Sequence, residues 1–288
     1  MKKFKKKRKR GKIILILLVA FILTCLGITW GSLRWLKVYN HVLHFDGLPA
    51  HLDGFRILQI SDLHSNSPRR INFDIWRHID NLNFDIAVIT GDIILDPRHT
   101  NYGPIEVLEP HRQALIDLAN RVPTFFVEGN HESDYFMQFS QFMAEVGIRF
   151  LFNERIYLET NGGVLGLIGT ADASTLNRHQ YLNADFDALF ENLTDNFYVV
   201  LTHQPQLFDR FKTSGISLAI TGHTHGGQIR LPFLPTIYAP GQGFWPRYGN
   251  GFYNYGNAVL YVSRGIGTTY FPTRFWNRPE IAVFELRN

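Results

Sequence analysis

The sequence predicts an α/β domain carried behind a single N-terminal membrane-spanning helix, on three observations. From residue 55 onward, short runs rich in Ile, Val, Leu and Phe recur, each ending in a polar turn: "FRILQISDLH", "FDIAVITGDI", "PTFFVEGNHE", "FYVVLTHQP" and "ISLAITGHTH". Runs apolar at consecutive positions are what strands covered on both faces look like. Amphipathic stretches fall between them, at "NFDIWRHIDNL" (72–82), "HRQALIDLANR" (111–121) and "DYFMQFSQFMAEVG" (134–147), and strand alternating with helix is the α/β pattern. The third observation is a run of 21 residues without a charge, "IILILLVAFILTCLGITWGSL".

That apolar run occupies residues 13–33, and at 1.5 Å per helical residue it can cross a hydrocarbon core of roughly 30 Å. It exceeds the usual signal-peptide core and lacks an A-x-A-like cleavage site, so it reads as an uncleaved anchor. Nine cations lie within residues 1–12 ahead of any acid: Lys2, Lys3, Lys5, Lys6, Lys7, Arg8, Lys9, Arg10 and Lys12. The positive-inside rule then puts this tail in the cytoplasm and the domain on the outer, extracytoplasmic side. Residues 34–54 form the juxtamembrane connection and 55–288 the folded domain. Without the tail, 20 basic residues face 25 acidic ones, a balance of −5, so no nucleic-acid partner is expected. The lone Cys25 sits in the apolar run and leaves the domain no disulfide.

Within the helical stretches, Phe136, Met137, Phe139, Phe142 and Met143 read as a buried face, closed by Gly147 as C-cap. Further strands are expected at "RIYLE", "GVLGLIG", "AVLYVSR" and "EIAVFEL", with a hairpin turn at "ETNGG" between the first two.

The five strand ends deliver Asp62 and His64, then Asp92, then Asn130 and His131, then His203, then His223 and His225. Sites assemble at the carboxyl ends of strands in such sheets, so these positions can converge. Oxygen and imidazole ligands without thiolate suit Mn, Fe, Zn or Mg. Eight groups exceed the needs of one ion; they suit two ions sharing a carboxylate, with positions left for water and substrate.

In that order, "DLH", "GD", "GNHE", an isolated His after a strand and "GHTH" resemble the calcineurin-like metallophosphoesterase superfamily. "GHTHGGQ" and "SRGIG" are similar to its membrane-associated bacterial phosphodiesterase branch. The resemblance implies an α/β/β/α sandwich of mixed sheets and two divalent or mixed-valence metal ions. One ion would be held by Asp62, His64 and His225, the other by Asn130, His203 and His223, with Asp92 bridging. His131 would stay unliganded and reach the substrate's phosphate or leaving oxygen, while Glu132 steadies its turn. The chemistry asks for these types independently: two cations neutralise a phosphoester and acidify a bridging water, and an imidazole can protonate the leaving group.

The expected substrate is a phosphodiester or pyrophosphate, lipid-linked or from the cell envelope, hydrolysed by a metal-bridging hydroxide. A phosphomonoesterase and a non-catalytic membrane-tethered scaffold are the alternatives. Protein phosphatases of this superfamily resemble "GDxVDRG" and "RGNHE"; here "GDIILDP" and Glu128 stand instead, and the phosphate-holding arginines are missing. Substrate-binding residues and oligomeric state are not assigned. Asp172 and Arg264 follow apolar runs and could border the site, though surface or structural pairing is the default. The other histidines, at 41, 44, 51, 78, 99, 111 and 179, are expected on the solvated surface. The stretch 232–256, dense in Phe, Trp, Tyr, Gly and Pro, is expected to be a packed excursion; the alternative is an apolar wall beside the metals that touches acyl chains or the bilayer surface.

Overall fold

A computed structural model describes residues 2–65, 73–194, 196–231, 233–268 and 274–288. Position 72 of the first predicted helix and position 232 of the aromatic stretch lie outside them. In chain order the main elements are α1 (Lys2–Arg34), β1 (Lys37–His44), β2 (Arg56–Ile60), α2 (Phe73–Asp80), β3 (Ile86–Thr90), α3 (Arg112–Arg121) and β4 (Thr124–Val127). There follow α4 (Phe136–Glu145), β5 (Arg149–Phe150), β6 (Glu154–Thr160), β7 (Gly163–Gly169), α5 (Ala173–Arg178), α6 (Leu182–Ala188) and β8 (Tyr198–Leu201). The last are α7 (Phe208–Phe211), β9 (Leu218–Thr221), β10 (Tyr238–Ala239), β11 (Gly243–Phe244), β12 (Gly251–Tyr255), β13 (Ala258–Val262) and β14 (Glu280–Arg287).

Two six-stranded mixed sheets result, ordered β1-β14-β2-β3-β4-β5 and β12-β13-β9-β8-β7-β6. Every residue of β3, β4, β8 and β9 is buried, which is why these segments are apolar at consecutive positions. One face of each sheet packs against the other through Ile57, Val88, Phe125, Leu167, Val199 and Ile220. On the outer face of the first sheet lie Ile79 of α2, Leu115 of α3 and Phe139 of α4; on that of the second lie Leu176 of α5, Phe186 of α6 and Phe211 of α7. The architecture is therefore the α/β/β/α sandwich of the metallophosphoesterase fold, preceded by one apolar helix, Lys12–Leu33, long enough to cross a membrane.

Three local readings need correction. In α4 the buried residues are Phe139, Phe142 and Met143, whereas Met137 is 73% exposed. At 3.6 residues per turn Met137 lies roughly 160° round from Phe139, on the outward face. Gly147 does end that helix, with φ of 77° and its N–H donated to Ala144 O at 3.2 Å. Residues 37–44, inside the predicted connection, form β1, paired in parallel with β14. His111 is buried rather than solvated: its Nδ1 accepts a hydrogen bond from Trp76 Nε1 at 3.0 Å. His41 is half-buried, stacked between Tyr39 and Phe284.

Candidate metal centre

The turns after β2, β3, β4, β8, β9 and β13 meet at one end of the two sheets and are sewn together by backbone hydrogen bonds. Asp62 N donates to Gly91 O at 3.0 Å, His64 N to Asp92 O at 3.0 Å, Gly222 N to His203 O at 3.0 Å and Ile266 N to Ser61 O at 3.0 Å. Gln59, on β2, donates to Thr90 Oγ1 on the neighbouring β3 at 2.8 Å and, across the sandwich, to Thr221 O at 3.0 Å. Asp62, His64, Asp92, His223 and His225 all have positive φ, between 47° and 70°. Left-handed backbone costs a non-glycine residue roughly 1–2 kcal/mol. Such strain clusters where side-chain direction is functional.

The side chains converge in two groups. Asp62, His64 and His225 place candidate ligand atoms within 4.8 Å of one another, and so do Asp92, His203 and His223. Asp92 lies between them: its Oδ2 is 3.2 Å from His203 Nε2 and 3.7 Å from His64 Nε2. Asp62 Oδ1 is 3.4 Å from His225 Nε2 and 3.9 Å from His64 Nε2. The nitrogens His64 Nε2 and His225 Nε2 face each other at 2.9 Å, a spacing that requires a shared proton or a cation. His131 is half-buried, with Nε2 3.7 Å from Asp92 Oδ2, so it shares a third group with His64 and Asp92.

Electrostatics prepare these groups as ligands. Burial pushes His64 and His223 down to about 3 and His225 well below the ordinary histidine range, so all three are neutral near pH 7. Burial raises Asp62 to about 6, and His203 opposes that rise. Burial would also raise Asp92, but His203, through its charge and a hydrogen bond, outweighs it and holds the carboxyl well below its usual range. Conversely, burial would lower His203, yet Asp92 holds it well above its usual value. A carboxylate that retains a proton on a buried imidazole favours a cation at the same nitrogen for the same reason.

The residues fit metal ions on a second ground. Asn130 Oδ1 and His223 Nε2 are buried polar atoms with no hydrogen-bond partner. Orphaned acceptors of this kind are costly and need an explanation. His203 Nδ1 donates to Thr90 O at 2.7 Å, which leaves Nε2 as the nitrogen that faces Asp92.

Surrounding groups fix the ligand turns. The buried Glu132 carboxylate accepts from Gly129 N at 2.7 Å, Asp92 N at 2.8 Å and Ile94 N at 3.2 Å, clamping the "GNHE" turn to the "GD" turn. Burial, with the charge of Asp92, raises this acid to about 8. Asp62 accepts from Ser61 Oγ at 2.6 Å and from His223 N at 3.0 Å. Asp172 is buried, caps α5 through Ser174 N at 2.8 Å and accepts from Gln204 Nε2 at 2.9 Å, beside the His203 turn. Arg264 bonds to Tyr39 Oη at 2.9 Å and faces Glu280 at 3.5 Å, the structural pairing expected by default.

One buried residue beside the site escaped the sequence reading. Arg274 is 1% exposed and donates to Arg264 O at 2.9 Å, Gly265 O at 3.2 Å and Gly267 O, with Nη2 3.3 Å from His225 Nδ1. Burial lowers it to about 10, so it stays charged. It sits in a loop with no period, and only a contact map finds it. The aromatic stretch is not the packed excursion expected: Thr236, Ala239 and Tyr248 are buried, but Phe233, Phe244 and Trp245 face solvent.

A sandwich of two mixed sheets with an oxygen- and imidazole-lined cluster at its strand ends is the architecture of a metal-dependent phosphoric ester hydrolase. The chain belongs to the calcineurin-like phosphoesterase family, whose model matches residues 55–227. It is 31% identical to the metallophosphoesterase YkuE of Bacillus subtilis (strain 168), across 90% of each chain. It is 28% identical to the phosphodiesterase YaeI of Escherichia coli (strain K12), across 88% of each. A looser likeness, with TM-score 0.45 and 14% identity, joins it to a phosphopantetheinyl hydrolase from Mycobacterium tuberculosis, covering 76% of this chain and 91% of that one.

Proposed function

We propose that this protein is a membrane-anchored, dinuclear-metal phosphoesterase that hydrolyses a phosphodiester or pyrophosphate bond of a lipid-linked or cell-envelope substrate. The observation that carries the reading is the pair of three-residue ligand groups with Asp92 between them. Asp62, His64 and His225 would hold one ion and Asn130, His203 and His223 the other, with Asp92 contributing to both. When bound, two divalent ions neutralise the phosphoester's charge and lower the pKa of a water near neutrality.

The chain's own groups supply the rest. His131 is more accessible than the buried histidines of the site, and its Nδ1 has no partner. It carries a proton to the departing oxygen or binds a phosphate oxygen. Glu132 positions that imidazole by holding its turn against the Asp92 turn. Glu128, where protein phosphatases carry an arginine, is buried and raised to about 7 by burial; its Oε1 accepts from Asp172 N. Glu128 itself offers no cation to the second charge of a monoester. That favours a diester, as does the likeness to the phosphodiesterase YaeI of Escherichia coli.

The α1 helix anchors the domain, with the basic tail cytoplasmic and the domain extracytoplasmic. A C-terminal reporter active only after export tests that topology, and signal from a cytoplasm-only reporter refutes it.

Activity is tested on the full chain in detergent, stripped by chelator and reloaded with Mn²⁺. Hydrolysis of an aryl phosphodiester should return only with metal and exceed that of the aryl monoester; turnover in the stripped protein overturns the mechanism. His131→Ala should lose about 10²–10⁴-fold in kcat with metal content unchanged.

A further inference from the structure

Large apolar side chains are exposed unevenly in the described domain. Between 229 and 245, and again at 276, rings and aliphatic chains face outward: Phe233 is fully exposed, Phe244 74%, Trp245 64% and Trp276 56%, with Leu231 and Leu234 between them. We propose that this edge lies in the interfacial layer of the bilayer that α1 enters, so that the metal centre opens at the membrane surface. The inference rests on α1 being a membrane anchor and adds how the catalytic domain sits on that membrane.

Backbone geometry is the first support. Phe233, Trp245 and Trp276 have φ of 67°, 56° and 53°, a region that bulky residues rarely occupy. Of the eleven described non-glycine residues at positive φ, five belong to the metal centre and three are these outward rings. Strain of this kind is concentrated at functional surfaces. Here it turns rings out rather than in.

Continuity with the helix is the second. Arg278 donates to Trp35 O at 2.8 Å, just past the end of α1. Trp276, Arg278 and Arg264 line a cavity of about 620 Å³ together with Gly31 and Trp35 from the helix exit. From Trp276 the edge continues through Phe275, whose N donates to Gln228 O at 3.1 Å and whose O accepts from Arg230 N at 2.9 Å. At its other end, Gly241 comes so near the site that a Cβ there would stand 3.2 Å from His223 Nε2. One surface therefore runs from helix exit to metal centre. Tryptophan at the headgroup level is the usual membrane-interface residue.

Charge is the third. The chain has 25 acidic residues, yet none lies between Asp209 and Glu280, a stretch holding Arg210, Lys212, Arg230, Arg247, Arg264, Arg274 and Arg278. Arg210, Lys212, Arg247 and Arg264 are paired with Asp187, Asp209 and Glu280, and Arg274 is buried; Arg230 and Arg278 lie along the edge with no carboxylate within ion-pair distance among the described residues, and anionic headgroups attract them. A second copy of the chain would bring the same cations against themselves, which is why the bilayer is the occupant.

The test uses the full chain in nanodiscs of phosphatidylcholine and phosphatidylglycerol, in a Cys25→Ser background. An environment-sensitive fluorophore is placed at Phe233→Cys, at Trp245→Cys, or at Asn161→Cys in the exposed turn at the opposite end of the sheets. Emission should shift blue and be quenched by doxyl-labelled lipid at 233 and 245, and stay water-like at 161. Water-like emission at 233 and 245 in a chain that floats with the discs overturns the docked edge but leaves the anchor. A blue shift without lipid quenching assigns the edge to a protein partner and also overturns it. A chain that does not enter discs overturns the anchor as well. Should the cysteine variants misfold, the unsubstituted chain in headgroup-brominated lipid must lose more tryptophan emission than Trp245→Tyr does; equal losses refute the proposal.

Discussion

Gly129→Ala tests whether two turns must touch for the centre to exist. A Cβ at 129 would stand 2.2 Å from Asp92 Oδ1, 2.4 Å from Asp92 N and 2.9 Å from Asp92 Cγ. Ordinary contact begins near 3.4 Å, and a backbone nitrogen cannot rotate away, so the "GNHE" and "GD" turns must part by roughly 1 Å. They are held together by Glu132, which accepts from Gly129 N at 2.7 Å and Asp92 N at 2.8 Å, and by His131 N donating to Asp92 Oδ1 at 3.1 Å. Overpacking of this kind costs about 1–3 kcal/mol. The effect on chemistry is larger, because ligand distances tolerate about ±0.2 Å and a 1 Å misplacement costs on the order of 10²-fold. Metal content by elemental analysis and aryl-diester turnover of the detergent-solubilised full chain are the readouts, with Gly103→Ala, which has nothing within 4 Å of its new Cβ, as control. Wild-type metal content and rate in Gly129→Ala would show that Asp92 and the "GNHE" turn are not parts of one centre.

His111 should make stability pH-dependent. Burial depresses it from 6.5 to about 4, so its contribution is complete above pH 6.5 and is lost as pH falls toward 4, about 3 kcal/mol in all. Thermal midpoints of metal-stripped wild type and His111→Gln at neutral and mildly acid pH should differ in slope, the variant's being shallower; parallel slopes refute it. Arg274→Met should lower the midpoint, because it orphans the carbonyls of Arg264, Gly265 and Gly267 at about 1–3 kcal/mol for each group left unpaired. Recovery by Arg274→Lys should be partial, since one ammonium cannot reproduce the fork; full recovery would leave only charge as its role.

What the sequence discloses depends on whether a residue's role is written in local order. Strands β3, β4, β8 and β9 are buried on both faces, so apolar runs announce them, and their ends announce the candidate ligands. Strand β1 is an edge strand with alternating half-exposure, "KVYNHVLH", and reads as a polar connection until β14 pairs with it. His111 looks like a helix-surface residue because its partner, Trp76, is 35 positions away. Arg274 is invisible for the same reason: its partners are carbonyls brought near by the β13 turn. Composition marks the aromatic stretch but not its direction, which φ at Phe233 and Trp245 decides.

The positive φ values of Asp62, His64, Asp92, His223 and His225 set a condition on the whole centre. At roughly 1–2 kcal/mol each they amount to about 5–10 kcal/mol of local conformational cost. That is comparable with the entire net stability of a domain. Two sources can offset it. One is the surrounding mesh, in which Glu132, Gln59 and Arg274 bind backbone groups of several turns at once. The other is ligation, because ions bound only by the folded arrangement add their binding free energy to its stability. The mesh acts on the turns, but nothing in it reaches Asn130 Oδ1 or His223 Nε2, which remain without hydrogen-bond partners. Backbone strain and unpartnered polar atoms thus fall within one cluster and coincide at His223, where a bound cation would offset both.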